Sequence, residues 1–224
     1  MVDLSKLTPA EMARHLGKPD GEVGVAVSLQ INKTNGNIIS ETYRRLNLVA
    51  GLHVLEIGPA NGHLLPELLG HADGLHYVGI DISKTMVDEA CRFNAATVAA
   101  GQAAFHVAGA EHIPAADVSF DRVFAVNVIY FWPDAVVPLR EIRRVLRPSG
   151  YSLIAAATPE SLAARSSTLF SRENGFNGRD VAALIAVHKE AGFSEITVEL
   201  VSEMVPLNDG TEWKRDFNFV IARP

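Results

Sequence analysis

Two glycines four residues apart close the run Glu56-Ile57-Gly58-Pro59-Ala60-Asn61-Gly62, which follows the apolar pair Val54-Leu55. Glycine tolerates backbone angles closed to other residues and lets a ligand approach the main chain, so such a run between a strand and a helix can form a binding turn. Taken alone, a glycine pair serves equally well as a tight turn between two core elements. A second feature shifts that balance. Tyr77-Val78-Gly79-Ile80-Asp81 ends in a carboxylate about 20 residues beyond the turn, where doubly wound folds place an acid to hydrogen-bond ribose hydroxyls. The chemistry suggested is recognition of a nucleoside.

Groups able to move a proton are sparse. His112, Tyr130 and His106 are the candidate general bases, and whichever serves must lie within hydrogen-bonding reach of the reacting atom. The competing reading for a histidine near a sheet edge is a structural bond to backbone. Asn127-Val128-Ile129-Tyr130-Phe131-Trp132 follows the apolar run Val123 to Val126, which places its aromatics beyond a strand's carboxyl end, where open sheets bind ligands. Tyr130 is the stronger functional candidate, whereas Phe131 and Trp132 fit equally well as packing for the next helix. The eight histidines show no zinc-like pairing with cysteine or acid, so no metal is expected.

Positioning these residues requires an alternation of strands and helices. The pattern predicts a strand at Val54 to Ile57, a helix at His63 to Leu69 and a strand at Tyr77 to Asp81. A helix capped by Ser83 follows, with Met86, Ala90 and Phe93 on one face. Further strands are expected at Phe105 to Val107 and Val123 to Val126, then a helix opened by Pro133 and stopped by Pro148 and Gly150. A strand at Tyr151 to Ala157, a helix at Val181 to Ala191 closed by Gly192, and strands at Ile196 to Val201 and Phe217 to Ala222 complete the chain. The last two strands have no helix between them. The expected class is therefore α/β: a Rossmann-like, seven-stranded, mostly parallel sheet with helices on both faces and an antiparallel C-terminal hairpin.

In that order of elements the sequence resembles the class I S-adenosylmethionine-dependent methyltransferases, from Val54 to the end. Glu56 through Gly62 looks like the family's acid-x-Gly-x-Gly-x-Gly loop around the methionine part of the cofactor. Asp81 matches the ribose-binding acid, with Ile82 beside the adenine and Met86 in the helix that follows. Ala108-Gly109-Ala110-Glu111-His112-Ile113-Pro114 resembles the segment that brackets the adenine, and Phe120 through Asn127 the segment that ends beneath the sulfonium. Arg140 through Gly150 and Glu190-Ala191-Gly192-Phe193 look like structural landmarks of the same family. The resemblance implies a cofactor site of Glu56, Gly58, Pro59, Ala60, Asn61, Gly62, Asp81, Ile82, Met86, Ala110, Glu111 and Asn127. Two departures stand out: Ala60 occupies the place of a common middle glycine, and Gly109 that of an aspartate that often holds the adenine amino group, a contact Ala110 and Glu111 are then left to supply.

With S-adenosylmethionine as cofactor, in-line displacement mainly needs the acceptor held at the right distance and angle, so a site without a catalytic triad is sufficient. The acceptor is expected to be a small molecule. The fourth-strand segment lacks the Asn-Pro-Pro-aromatic sequence of amino-methylating DNA and glutamine enzymes, and Cys91 follows alanine rather than proline. A net charge of -6 also argues against a nucleic acid partner. Two alternatives share the architecture. A nicotinamide-dependent oxidoreductase would need glycines at positions 60 and 63, where Ala60 and His63 stand, and a non-catalytic binding protein would keep the same fold.

The 224 residues suit one domain, with residues 1–50 as an N-terminal helical or lid segment and 51–224 as the cofactor-binding part. In the first segment the cluster Asn32-Lys33-Thr34-Asn35-Gly36-Asn37 reads as a turn, although its asparagines are also placed to close one side of a site. Residues 161–178, polar with Phe170 and Phe176, read as a lid on the other. A single cysteine, no secretory pattern and no apolar run approaching the ~20 residues of a membrane span make a cytoplasmic address the expectation. Nothing in the sequence indicates an oligomeric state.

Overall fold

Val123, Phe124 and Ala125 are successive residues of β4 (Phe120–Val126), and all three are fully buried. Neighbouring side chains of a strand point to opposite faces, so this sheet is covered on both sides. The computed structural model describes residues 2–206 and 212–224; Met1 and residues 207–211 lie outside the described residues. The sheet has seven strands in the order β3-β2-β1-β4-β5-β7-β6, where β1 is His53–Ile57, β2 His76–Asp81, β3 Ala103–Val107, β5 Leu146–Ala157, β6 Glu195–Pro206 and β7 Glu212–Arg223. β1 to β5 run parallel, while β7 lies antiparallel to both β5 and β6. The expected seven-stranded, mostly parallel sheet with an antiparallel C-terminal pair is thus observed.

The strand order reverses between β1 and β4, which have β2 and β5 on their far sides. At such a switch point the turns leaving the two central strands diverge, and a crevice opens beyond their carboxyl ends. Helices α3 (Leu65–Leu69) and α4 (Lys84–Phe93) contact α2 (Gly21–Arg45), and α6 (Val136–Val145) packs with α8 (Val181–Glu190). Two shorter helices, α1 (Pro9–Gly17) and α7 (Pro159–Ser166), approach the crevice from opposite parts of the chain, and α5 (Ala95–Ala99) lies beside β3.

Several boundaries differ from those the sequence suggests. The asparagine cluster forms no turn: residues 32–37 lie inside the 25-residue helix α2. Asparagine and glycine weaken a helix, but packing overrides propensity when one stripe is buried. Val27, Ile38 and Tyr43 supply that stripe, with the Tyr43 ring edge-on to Phe124 at 5.7 Å. Pro148 and Gly150 end no helix either, because α6 stops at Val145 and the chain passes directly into β5. The register between β4 and β5 shifts there, which accommodates the proline in a strand. Pro133 precedes its helix by three residues, Phe93 is 41% exposed rather than buried beside Met86 and Ala90, and half of 161–178 is ordered as α7 and a short 3-10 turn at Arg172–Asn174.

Candidate active site

The turn after β1 takes its shape from three residues with left-handed backbone angles: Gly58 at φ +73°, Ala60 at +50° and Gly62 at +61°. Gly58 must be glycine for a second reason, since a Cβ there would lie 2.7 Å from Cγ2 of Val128. A Cβ at Gly62 would meet Asn94, Ala90 and Phe105 at 3.0–3.1 Å, so that glycine serves packing beneath the turn. Ala60 adopts the glycine-like angle without being glycine, at a penalty of roughly 1–2 kcal/mol. Its backbone N–H donates to Asp81 Oδ2 at 3.2 Å, which helps hold it there.

Asp81 ends β2 and faces the crevice with both oxygens engaged: Ser83 N–H donates to Oδ1 at 2.8 Å and Ala60 N–H to Oδ2. Each carboxylate oxygen keeps a further lone pair for a ligand hydroxyl. Burial pushes the Asp81 acid up to about 6, against the pull of those two N–H groups. Glu56 lies deeper. Its carboxylate accepts the Tyr77 hydroxyl at 2.6 Å, and burial, with the nearby Asp81 charge adding to it, lifts it to about 7.

A cavity of about 310 Å³ spans the carboxyl ends of β1 to β5. Gly58, Ala60, Asp81, Ile82, Ala110 and Glu111 line one part of it, and Asn127 and Tyr130 line its floor after β4. Asn127 is held at φ +58°, its side-chain oxygen accepting Ala157 N–H at 3.2 Å and so tying β4 to β5. The Glu111 carboxylate occupies the space that a side chain at Gly109 would need, 2.5 Å from where its Cβ would lie.

The other sequence candidates do not line the cavity. Glu56 and Met86 are buried behind it, and Pro59 and Gly62 support the turn from below. Asn61 instead joins the turn to α2: it accepts from Asn32 Nδ2 at 3.2 Å and donates to Ser28 Oγ at 3.1 Å. Asn32 and Ser28 therefore fasten α2 to the turn. His112 and His106 are exposed and outside the cavity, so neither is placed to take a proton within it. Tyr130 is inside, but its burial raises the phenol far above its ordinary value, which keeps it protonated and makes it a donor rather than a base.

The second part of the cavity is aromatic. Tyr130 and Phe131 meet Phe176 at tilted ring angles, 5.2 and 4.8 Å between centroids, and Phe170 meets Phe176 edge-on at 5.0 Å. Phe131 and Trp132 both line the cavity and also pack in the hydrophobic core, so each of their two readings has a structural basis. Sequence reasoning missed Trp213, Arg215 and Arg165, which complete this wall, and Leu16, Gly17 and Pro19 from the N-terminal segment. Arg215 is only 6% exposed; it pairs with Glu203 and donates to Asn35 Oδ1 at 3.0 Å, joining the hairpin to α2. Missed too was Arg179, whose guanidinium donates to the carbonyls of Ile129, Trp132 and Pro133 at 2.7–3.2 Å and so fixes the loop that carries Tyr130. A lone arginine in a polar segment carries no local signature of such a role.

Comparison with known proteins agrees with this geometry. The methyltransferase domain family matches residues 55–154, from β1 to the middle of β5. O-methyltransferase rstn1 of Aspergillus nomiae is 31% identical over 163 residues, which cover 70% of this chain and 70% of that protein. O-methyltransferase resE of Aspergillus sclerotiorum is 32% identical over 160 residues, 68% of this chain but 59% of the relative, so the chain spans less than two thirds of that relative's length. Among solved structures, the Haemonchus contortus phosphoethanolamine N-methyltransferase 2, determined with phosphomonomethylethanolamine and S-adenosylhomocysteine, superposes with a TM-score of 0.70 over 98% of this chain and 60% of that one. YcgJ from Bacillus subtilis gives 0.65 over 84% and 98%. At 16% and 14% identity these two likenesses establish the fold. The sequence relatives go further, and the chain belongs to the class I S-adenosylmethionine-dependent methyltransferase family.

Proposed function

We propose that the chain binds S-adenosylmethionine in the crevice over β1 and β2 and transfers its methyl group to a small-molecule acceptor held in the aromatic part of the cavity. The observation that carries this reading is the Asp81 carboxylate: it faces the cavity at the tip of β2, braced by the backbone N–H of Ala60 from the facing turn. That arrangement suits two ribose hydroxyls, which donate to a charged acceptor more strongly than to a neutral one. The positive φ of Gly58 and its closeness to Val128 leave the main chain bare on the cavity side, as the methionine part of the ligand requires. Ile82 presents an apolar face to the adenine, with Ala110 and Glu111 beside it.

The bound sulfonium supplies an activated methyl group. What remains for the protein is to exclude water and set the line of attack. The aromatic wall does the first, and Arg179, by fixing the loop after β4, does the second. The N-terminal helices, with Leu16, Pro19 and Ile31 in the wall, and residues 161–178, with Leu162, Phe170 and Phe176, act as the two covers of the site. No helix among the described residues is long and apolar enough to cross a membrane. A cytoplasmic setting accords with the single cysteine, Cys91, and a metabolite rather than a nucleic acid partner with the acidic net charge of -6.

Incubating the protein with methyl-labelled S-adenosylmethionine and a metabolite extract tests this reading. Label should appear in a discrete low-molecular-weight product, and its appearance in protein or nucleic acid alone would overturn the proposal.

A further inference from the structure

The acceptor part of the cavity is rich in hydrogen-bond donors and poor in acceptors. Arg165, exposed on α7, faces the Trp213 ring at 5.9 Å and has no carboxylate partner among the described residues. The buried indole N–H of Trp213 likewise has no acceptor among the described residues. The Tyr130 hydroxyl, in the same wall, makes no hydrogen bond among the described residues. Arg215 is the exception, since Glu203 neutralises it. Two guanidiniums against one carboxylate leave this wall with a positive charge, and the lining carboxylates are Asp81 at the end of β2 and Glu111 after β3.

Among the described residues, no group in this part of the wall is placed to accept a proton. No histidine lines the cavity among the described residues, and Tyr130 is held protonated by its burial. An alcohol or ordinary phenol has to lose its proton as it is methylated, and an ammonium group must lose one before it can attack at all. An oxygen already ionised at neutral pH needs neither step.

We infer that the acceptor is a planar, largely apolar organic acid, a carboxylate or an equally acidic enol or phenol, whose ionised oxygen is received by Arg165 and the Trp213 indole N–H. This deepens the methyl-transfer reading and rests on it. The step balances without a base: a lone pair of the acceptor oxygen forms the new O–C bond as the C–S bond breaks, and the electron pair of that bond stays on sulfur. The acceptor's negative charge and the sulfonium's positive charge cancel, giving a neutral methyl ester or ether and a thioether with no proton transferred. Aromatic faces attract cations, which by itself would favour an amine. The Arg165 guanidinium on the same wall, without a carboxylate partner among the described residues, reverses that preference, because like charges repel.

The test uses three probes of one shape and different charge, naphthoate, naphthylmethanol and naphthylmethylamine, titrated calorimetrically into protein saturated with S-adenosylhomocysteine. Naphthoate should bind tightest and the amine weakest. Arg165→Ala should weaken naphthoate about tenfold, the size of one charge-assisted contact, while leaving the alcohol unchanged. Arg165→Lys should recover part of the loss. A preference for the amine or the alcohol, binding of none of the three, or naphthoate affinity indifferent to Arg165→Ala would overturn the inference while leaving methyl transfer standing. Failure of S-adenosylhomocysteine itself to bind would mark the failure of the methyl-transfer reading, and this inference would fall with it.

Discussion

Replacing Gly58 by alanine adds one methyl group at a point where two separate penalties can be counted. The backbone there is left-handed at φ +73°, an angle that costs an L-residue roughly 1–2 kcal/mol. The new Cβ would also lie 2.7 Å from Cγ2 of Val128, and a β-branched side chain has few other rotamers to escape into. Overpacking of this kind costs about 1–3 kcal/mol. Gly58→Ala should therefore lower the unfolding free energy in urea by about 2–5 kcal/mol. The two parts separate in a double-mutant cycle, because Val128→Ala removes the steric contact but not the backbone strain. In the double variant the contact part should be recovered as a coupling energy of about 1–3 kcal/mol. Strict additivity of the two substitutions would refute the steric argument, and a loss below about 1 kcal/mol for Gly58→Ala would refute the strain argument as well.

Glu56 and Asp81 hold their protons more tightly folded than unfolded, at about 7 and about 6 against ordinary values of 4.5 and 3.8. The stability they contribute is thus complete below their unfolded values and is lost as pH rises through the folded ones. Without ligand, the stability difference between the wild-type protein and Glu56→Gln should shift steadily against the wild type from about pH 4 to about pH 7 in urea titrations, and a difference independent of pH would be inconsistent with a buried, proton-binding Glu56. Arg179→Met removes the donors that hold the carbonyls of Ile129, Trp132 and Pro133, so it should cost about 2–4 kcal/mol in thermal unfolding, whereas an unchanged melting curve would show that the loop has other anchors. His112→Ala, altering an exposed side chain outside the cavity, should leave methyl transfer to the labelled product within about twofold of wild type, and a loss of a hundredfold or more would restore His112 as a base.

What could be read from the sequence follows the range of the forces involved. The Gly58–Gly62 turn, the acid at Asp81 and the strand pattern are local, fixed by backbone angles and by period, and they emerged without knowledge of contacts. Helix α2 did not, because residues 32–37 are poor helix formers that hold their shape through the packing of Ile38 and Tyr43 and through Asn32 on Asn61. Of the residues that the family resemblance assigns to the cofactor, Gly58, Ala60, Asp81, Ile82, Ala110, Glu111 and Asn127 line the cavity. Glu56, Pro59, Asn61, Gly62 and Met86, assigned to the cofactor by the same resemblance, do not line the cavity: Glu56 and Met86 are buried, and Asn61 bonds to α2. The acceptor wall was not legible, since Arg165, Trp213 and Arg215 come from α7 and β7 and meet residues 31–35 only through the tertiary fold. His112 illustrates the converse error: a residue type suited to catalysis, next to family-like residues, turns outward because its neighbour Ile113 takes the buried position.

Calorimetric titration of S-adenosylhomocysteine into the wild-type protein and into Asp81→Ala, with thermal unfolding to verify that the variant is folded, tests the central claim most directly. Saturable binding at one site per chain, weakened about 100-fold by the substitution, is the expected result, since two hydroxyl hydrogen bonds to a charged acceptor are lost at once. No binding to the wild type, or equal affinity in a folded variant, would contradict the account.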